Sequence, residues 1–366
     1  MSKAPETFDE WYVKSSYQQF VQQEGVPLYE GSALEDLAAL PLGEWERRGG
    51  QCAYTRLGNQ ETSYNLQIIE IPPKGELKPE RHMYEAIMYV MKGRGATTLW
   101  QEGEPKHTVE WEEGSLLTIP LNAWHQEFNA SSDGPCRIFF CTNMAYVINW
   151  YHNLDYVFNN PFCFKDRYSY GMQNFFTDQG KHWQHRTFET NFVPDIRKIP
   201  LDDNPVRGHR HRVQRLSMAA TSIGIHIAEV EVGTYMTAHR HTAGAHVIVV
   251  EGQGYEILFM PGEEKNRQKI PLKPYTVISP KLNEFHQHFN AGKTTFKMLA
   301  FRGYGIRYGW GRKYTRVSPT AQTTDPHAES LNISYEQEDP AIREEYYREL
   351  EKIGISSRLP PVNQRG

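Results

Sequence analysis

The residues most able to do chemistry are His239, His241 and His286. His239 and His241 stand one residue apart, and in a β-strand such a pair projects to one face, so both imidazoles aim at one point. His286 follows downstream, in Ser279-Pro280-Lys-Leu-Asn-Glu-Phe-His286-Gln-His288-Phe-Asn290. Three convergent neutral nitrogen donors suit a first-row divalent metal, and imidazole accepts Fe, Mn, Ni or Zn alike. His288 shares a strand face with His286 and is a candidate either to hydrogen-bond substrate or oxygen or to orient a ligand imidazole. Arg302 is a candidate either to anchor an anionic substrate through paired hydrogen bonds or to serve at the surface. His209-x-His211 lacks a following apolar strand and reads as a solvated basic edge or a phosphate or carboxylate contact.

Strands must position these groups. Val247 to Val250 is an apolar run that ends in Gly252-Gln-Gly254, the pattern of a buried strand entering a turn. The same texture occurs earlier, in Met88-Tyr-Val-Met, Gly93-Arg-Gly95, Ala96 to Trp100, Gly114 to Pro120 and Cys136 to Cys141. Gly93 corresponds to Gly252 at an offset of 159, Pro120 to Pro280 at 160, and His125-Gln-Glu-Phe-Asn-Ala130 to His286-Gln-His-Phe-Asn-Ala291 at 161. The chain therefore reads as a duplicated β-domain, mostly β overall. The expected organisation is a helical lead-in over 1–50, a first β-domain over 51–145, an aromatic-rich connector over 146–205, a second β-domain over 206–312, and a tail over 313–366. In the lead-in, Glu10 to Val21 is expected as one amphipathic helix ended near Gly25; Val147 to Phe158 is expected to be helical; and Asp339-Pro340 starts a helix that buries Ile342, Tyr346, Leu350 and Ile353 and stops at Gly354.

Composition narrows the classes. The chain has 366 residues and a formal net charge of -4, which argues against a dedicated nucleic-acid binder. Cys52, Cys136, Cys141 and Cys163 form no CxxC pair, the pattern of a reduced, cytoplasmic chain. No apolar run approaches membrane-spanning length, and the start lacks a signal-peptide apolar core.

Gly233-x5-His239-x-His241, a strand ending at Gly252, and Pro280-x5-His286-x3-Asn290 resemble the two cupin motifs; Gly114-x5-Pro120-x4-His125-x3-Asn129 resembles the second of them. The resemblance implies a bicupin, two tandem jelly-roll barrels with a helical lead-in, a connector and a C-terminal helix. More narrowly, His239-Arg-His-Thr-x-x-Ala245 with His286-x-His288-x-Asn290 is similar to the gentisate and salicylate ring-cleaving dioxygenases. That likeness implies Fe(II) on His239, His241 and His286. The chain departs from that family in carrying the fuller set in its C-terminal copy, and in having Val247 where the family has a pocket Arg.

Many cupins add a carboxylate ligand seven residues before the conserved Gly, which here is Ala245. His246 is one residue off and is a candidate fourth ligand, with a pocket-wall role preferred. The same count in the first copy gives Glu80, His82 and His125, with Ala86 at the missing carboxylate and Glu85 on the wrong face. These three are a candidate second metal site of two-histidine, one-carboxylate type, against a preferred reading of a vestigial domain kept for assembly.

An all-imidazole set leaves a bound cation its full charge and leaves room for two vicinal substrate oxygens and O2. The implied function is a non-haem Fe(II) dioxygenase that cleaves a C–C bond of a hydroxybenzoate- or hydroquinone-like ring. Its partners would be a small aromatic substrate and O2, with no nucleic acid or membrane, in a homo-oligomer. Met236, Phe259, Phe285 and Phe301 are expected to line the barrel mouth. The alternatives are a metal-dependent isomerase, a lyase, a diketone or thiol dioxygenase, or a non-catalytic ligand-binding bicupin.

Overall fold

The computed structural model describes residues 7–58, 64–240, 244–303, 305–308 and 332–361. Its strands form two barrels of the same design. In the first, Gln51–Leu57, Asn65–Ile71, Cys136–Thr142, Ala86–Lys92 and Leu116–Ile119 pair in that order as one antiparallel sheet. Trp124–Asn129, Arg94–Trp100 and His107–Glu112 form the facing sheet, extended by bridges from Glu76 to Phe128 and from Glu80 to His125. The second barrel repeats this order. His211–Ser217, Gly224–Val230, Phe296–Arg302, Ala245–Glu251 and Val277–Ile278 make its large sheet; Ala238–His239, Phe285–Asn290, Gly254–Phe259 and Gln268–Leu272 make its small one. The fold is therefore mostly β, with two tandem jelly-roll barrels.

The paired Gly-x-Gly motifs do two jobs. Gly93 and Gly252 turn the hairpin at φ 91° and 81°, which L side chains rarely adopt. At Gly95 and Gly254 a Cβ would lie 2.0 Å from the carbonyl oxygens of Phe128 and Phe289, so the neighbouring strand closes over bare backbone.

Short strands link the barrels. Leu28–Gly31 runs parallel to Gln51–Leu57, and the next pair, Ala33–Leu34, crosses to Val277–Ile278 of the second barrel. The connector mirrors this: Thr187–Glu189 runs parallel to His211–Ser217, and Phe192–Val193 crosses back to Leu116–Ile119 of the first barrel. The outer faces of the two large sheets share one core, with Ile68, Tyr89 and Phe139 packed against Ile225, Ile248, Leu299 and Phe301. Each such fully buried side chain stabilises the pair by about 1.5–3 kcal/mol.

Helices cap the assembly. The expected lead-in helix is two pieces, Phe8–Trp11 and Ser16–Glu24, because Ser15 accepts from the Gln18 N–H and starts a new helix; Gly25 at φ 67° ends it. The connector helix is likewise split, into Met144–Tyr151 and Leu154–Asn159, with His152 left-handed and Asn153 capping the second piece. The tail helix Pro340–Ile353 forms as its pattern predicts and buries Ile342, Tyr346 and Leu350 on the outer face of the second barrel's small sheet. Among the described residues no helix is long and apolar enough to cross a membrane.

Candidate metal centres

Strand alternation decides which side chains enter the second barrel. His286 and His288 face inward, whereas Phe285, Gln287 and Phe289 face outward beneath the tail helix. His239 and His286 are direct partners across the antiparallel pair, with ring centroids 4.1 Å apart. Their Nδ1 atoms lie 3.4 and 3.3 Å from the carbonyl oxygens of Thr237 and Glu284. Backbone oxygens in this role fix the tautomer of a metal-binding imidazole. His241 lies outside the described residues.

The other expected residues divide. His246 faces away from this centre: its Nε2–H donates to the Tyr64 carbonyl at 2.7 Å, in the core between the barrels, so it is no ligand for the same ion. His288 Nδ1 lies 3.0 Å from the buried Glu256 carboxylate, outside hydrogen-bond geometry. Glu256 went unnoticed in the sequence, although it is the one charged residue of Gly254–Phe259 and its partner across the sheet is His288. Arg302 faces inward at the last position of its strand, paired with Ala245.

Two expectations fail. His211 is not a solvated edge: it is 3% exposed and starts an inward-facing row, and burial with nearby cations pushes its pKa down to about 3. Nor do the four residues expected at the barrel mouth gather there. Met236 packs in the interior cluster, but Phe259 and Phe285 lie under the tail helix and Phe301 packs between the barrels. Phe285 precedes an inward histidine and must point outward, a signal the sequence already carried.

The first barrel assembles Glu80, His82 and His125 so that one donor atom from each lies within 4.8 Å of the others. His82 Nδ1 bonds the Tyr84 carbonyl at 2.7 Å, and His125 Nδ1 bonds the Glu127 carboxylate at 2.7 Å. His125 Nε2 is buried and unpartnered, as expected of an imidazole aimed at an ion. Desolvation holds the His82 pKa down to about 3, so this imidazole is neutral and able to ligate. Both residues fit a divalent metal.

Glu80 is more constrained. Arg47 and Arg48 each hold one of its oxygens, and Arg48 also bonds Glu127 at 2.8 Å. Although burial opposes it, these guanidiniums hold the Glu80 carboxyl well below its usual range. Glu24 in turn binds Arg47 at 2.9 Å. The cluster thus sets Glu24, Glu80 and Glu127 against two guanidiniums, a net single negative charge in the interior. Glu85 faces the other barrel, where both its oxygens accept from the Ser222 N–H at 2.9 Å.

Residues 67–142 match the family model described as a cupin domain. Among solved structures the chain is similar to salicylate 1,2-dioxygenase from Pseudaminobacter salicylatoxidans, at 14% identity and TM-score 0.48 over 66% of this chain and 71% of that one. It is similar to a mutant oxalate decarboxylase from Bacillus subtilis, at 12% identity and TM-score 0.49 over 75% and 77%. Vicilin from hazelnut, Corylus avellana, aligns at 14% identity and TM-score 0.47 over 74% and 85%. No curated protein matches the sequence. Residues 67–142 of the first barrel thus match a cupin domain, and the second barrel repeats the first one's strand order.

Proposed function

We propose that the chain is a metal-dependent dioxygenase that uses O2 to cleave a C–C bond in a small hydroxylated aromatic substrate, with its reaction centre in the second barrel. The observation that carries this reading is the direct opposition of His239 and His286 inside that barrel, each with Nδ1 turned to backbone. His239, His241 and His286 would hold the ion. Bound Fe(II) would supply Lewis acidity and the electron path between substrate and oxygen. The chain's own part is to fix the imidazoles, to set Glu256 and His288 beside them, and to exclude water within a buried interior.

A second reading places chemistry in the first barrel, favoured by the proximity of Glu80, His82 and His125. Against it, both Glu80 oxygens are held by arginines, and helices Ser16–Glu24 and Met144–Tyr151 close that barrel's end through Tyr17, Phe20 and Met144. We therefore assign that centre an assembly role.

The test is anaerobic purification with Fe(II), then oxygen uptake with gentisate, salicylate and hydroquinone. His286→Ala is expected to fold, lose about one equivalent of iron and lose uptake, while Glu80→Gln keeps uptake. Uptake that survives His286→Ala and vanishes in Glu80→Gln moves the reaction to the first barrel. Absence of iron and of uptake with every phenol refutes both readings.

A further inference from the structure

The second barrel carries a cover over its small sheet. In the first barrel, every second residue of Trp124–Asn129 is half-buried; the equivalent strand Phe285–Asn290 is buried at every position, because residues 332–361 pack on its outer face. Asn332–Ile333 adds an edge strand to this sheet, with Asn332 opposite His239 and Ile333 opposite Ala238. The strand Ala238–His239 is two residues long and meets Phe285–Asn290 at one pair, His239 with His286. So short a strand depends on what holds it from either side.

Two side chains of the cover each bridge the two segments that carry these histidines. The Tyr346 hydroxyl lies 2.8 Å from the carbonyl oxygens of both Thr234 and Asn290. The Glu338 carboxylate accepts from the Tyr235 hydroxyl on one oxygen and from the Gln287 amide at 3.0 Å on the other. Thr234 and Tyr235 lead into His239, while Gln287 and Asn290 follow His286. Backbone contacts add to the hold on the first segment: the Tyr335 hydroxyl donates to the Tyr235 carbonyl, and the Arg358 N–H to the Gly233 carbonyl at 2.8 Å. At Gly233 a Cβ would lie 2.7 Å from the Ser356 carbonyl oxygen, so the cover closes over bare backbone.

The first barrel makes the equivalent link without a cover. Gln126 corresponds to Gln287 at the offset of 161, and its amide donates directly to the Leu77 carbonyl at 3.0 Å, in the segment that leads into Glu80. Gln287 instead reaches the matching segment through Glu338. A bond that closes within one barrel is routed through residue 338 in the other. Glu338 is 8% exposed, and buried polar groups that lose such partners pay their full desolvation, so the bridge holds its geometry firmly.

We propose that Glu338 is a positioning residue: from the outer side of the sheet it ties Tyr235 to Gln287 and thereby sets how closely His239 and His286 approach a shared ion. The proposal rests on the reading of these histidines as metal ligands and adds that the cover sets their spacing. Metal affinity in the second barrel then depends on a carboxylate that acts through the two strands. Glu338→Gln keeps an acceptor for Tyr235 and gains an amide donor for Gln287 Oε1, which is buried without a partner, so the bridge survives that change. Glu338→Ala removes it.

The test is Co(II) titration of the full chain after chelation, followed by the visible absorption bands of the bound ion, with urea denaturation of each metal-free variant alongside. The equivalent of Co(II) that His286→Ala removes is the one in question. Glu338→Ala is expected to weaken that equivalent roughly tenfold or more and to alter its bands, and Glu338→Gln to restore most of the loss. Glu345→Ala is the control: Glu345 holds the same helix through Lys269 at 2.8 Å and Arg267 at 3.2 Å, on the neighbouring hairpin rather than on the histidine segments. It should cost stability and leave Co(II) binding unchanged. Parent-like binding in Glu338→Ala, or equal weakening in Glu345→Ala, overturns the proposal and leaves the metal reading in place. Co(II) binding that His286→Ala does not change overturns both. If Glu338→Ala does not fold, Tyr346→Phe decides the matter: loss of its hydroxyl should weaken the same equivalent roughly threefold or more, and parent-like binding overturns the proposal.

Discussion

His246 gives the chain a defined sensitivity to acid. The ring is 2% exposed, its Nε2–H donates to the Tyr64 carbonyl at 2.7 Å, and its Nδ1 is buried with no acceptor. A proton added at Nδ1 would place an unpaired charged donor between the barrels, so desolvation lowers the pKa to about 4 despite the help of the Tyr64 carbonyl. The unfolded chain takes up that proton near pH 6.5, the folded chain only near 4. Between those values the unfolded state binds more protons, so stability is full above about pH 6.5 and is lost as pH falls toward 4. At pH 5 the loss from this one ring is about 2 kcal/mol. His246→Gln keeps an N–H for Tyr64 but cannot titrate. Urea denaturation of chelator-treated protein at pH 7.5, 6 and 5 should show the variant losing about 2 kcal/mol less than the parent across the range. Parallel pH profiles would refute the argument.

Arg48 is 2% exposed and donates to Glu80, Glu127 and the Lys78 carbonyl at 2.8–2.9 Å, so Arg48→Met leaves Glu80 with Arg47 and the buried Glu127 with His125. We expect a loss of about 3–5 kcal/mol in urea denaturation, partly recovered by adding Zn(II) if Glu80, His82 and His125 bind metal. Tyr346 donates its hydroxyl to the Thr234 and Asn290 carbonyls at 2.8 Å each, which locks the tail helix to the second barrel. Tyr346→Phe should cost about 1 kcal/mol and raise amide exchange in Pro340–Ile353 before the strands respond.

Much of this was legible in the sequence. The offsets linking Gly93 to Gly252 and His125 to His286 identified two equivalent β-domains, in which His239 pairs with His286 and Glu80 lies near His82 and His125. The amphipathic tail helix was readable from Ile342, Tyr346 and Leu350 together with Asp339 and Gly354. What escaped notice has physical causes. Ala33–Leu34 and Phe192–Val193 are strands of two residues, too short to show any period, and only a partner from the other barrel makes them strands. His211 and His226 sit among polar neighbours, and only pairing with Val230 and Ala300 turns them inward. The two breaks in the expected helices, at Ser15 and at His152-Asn153, are capping events that outweigh hydrophobic period.

The reciprocal crossing of Ala33–Leu34 and Phe192–Val193 also constrains how the protein is made. The first barrel lacks an edge until residue 193 has left the ribosome, and the segment around Ala33 must wait, unclaimed, until Val277–Ile278 is synthesised. Neither half can mature ahead of the other. Gene fragments split between the barrels should yield sticky, unfinished sheets alone and a working protein only when both halves are produced together.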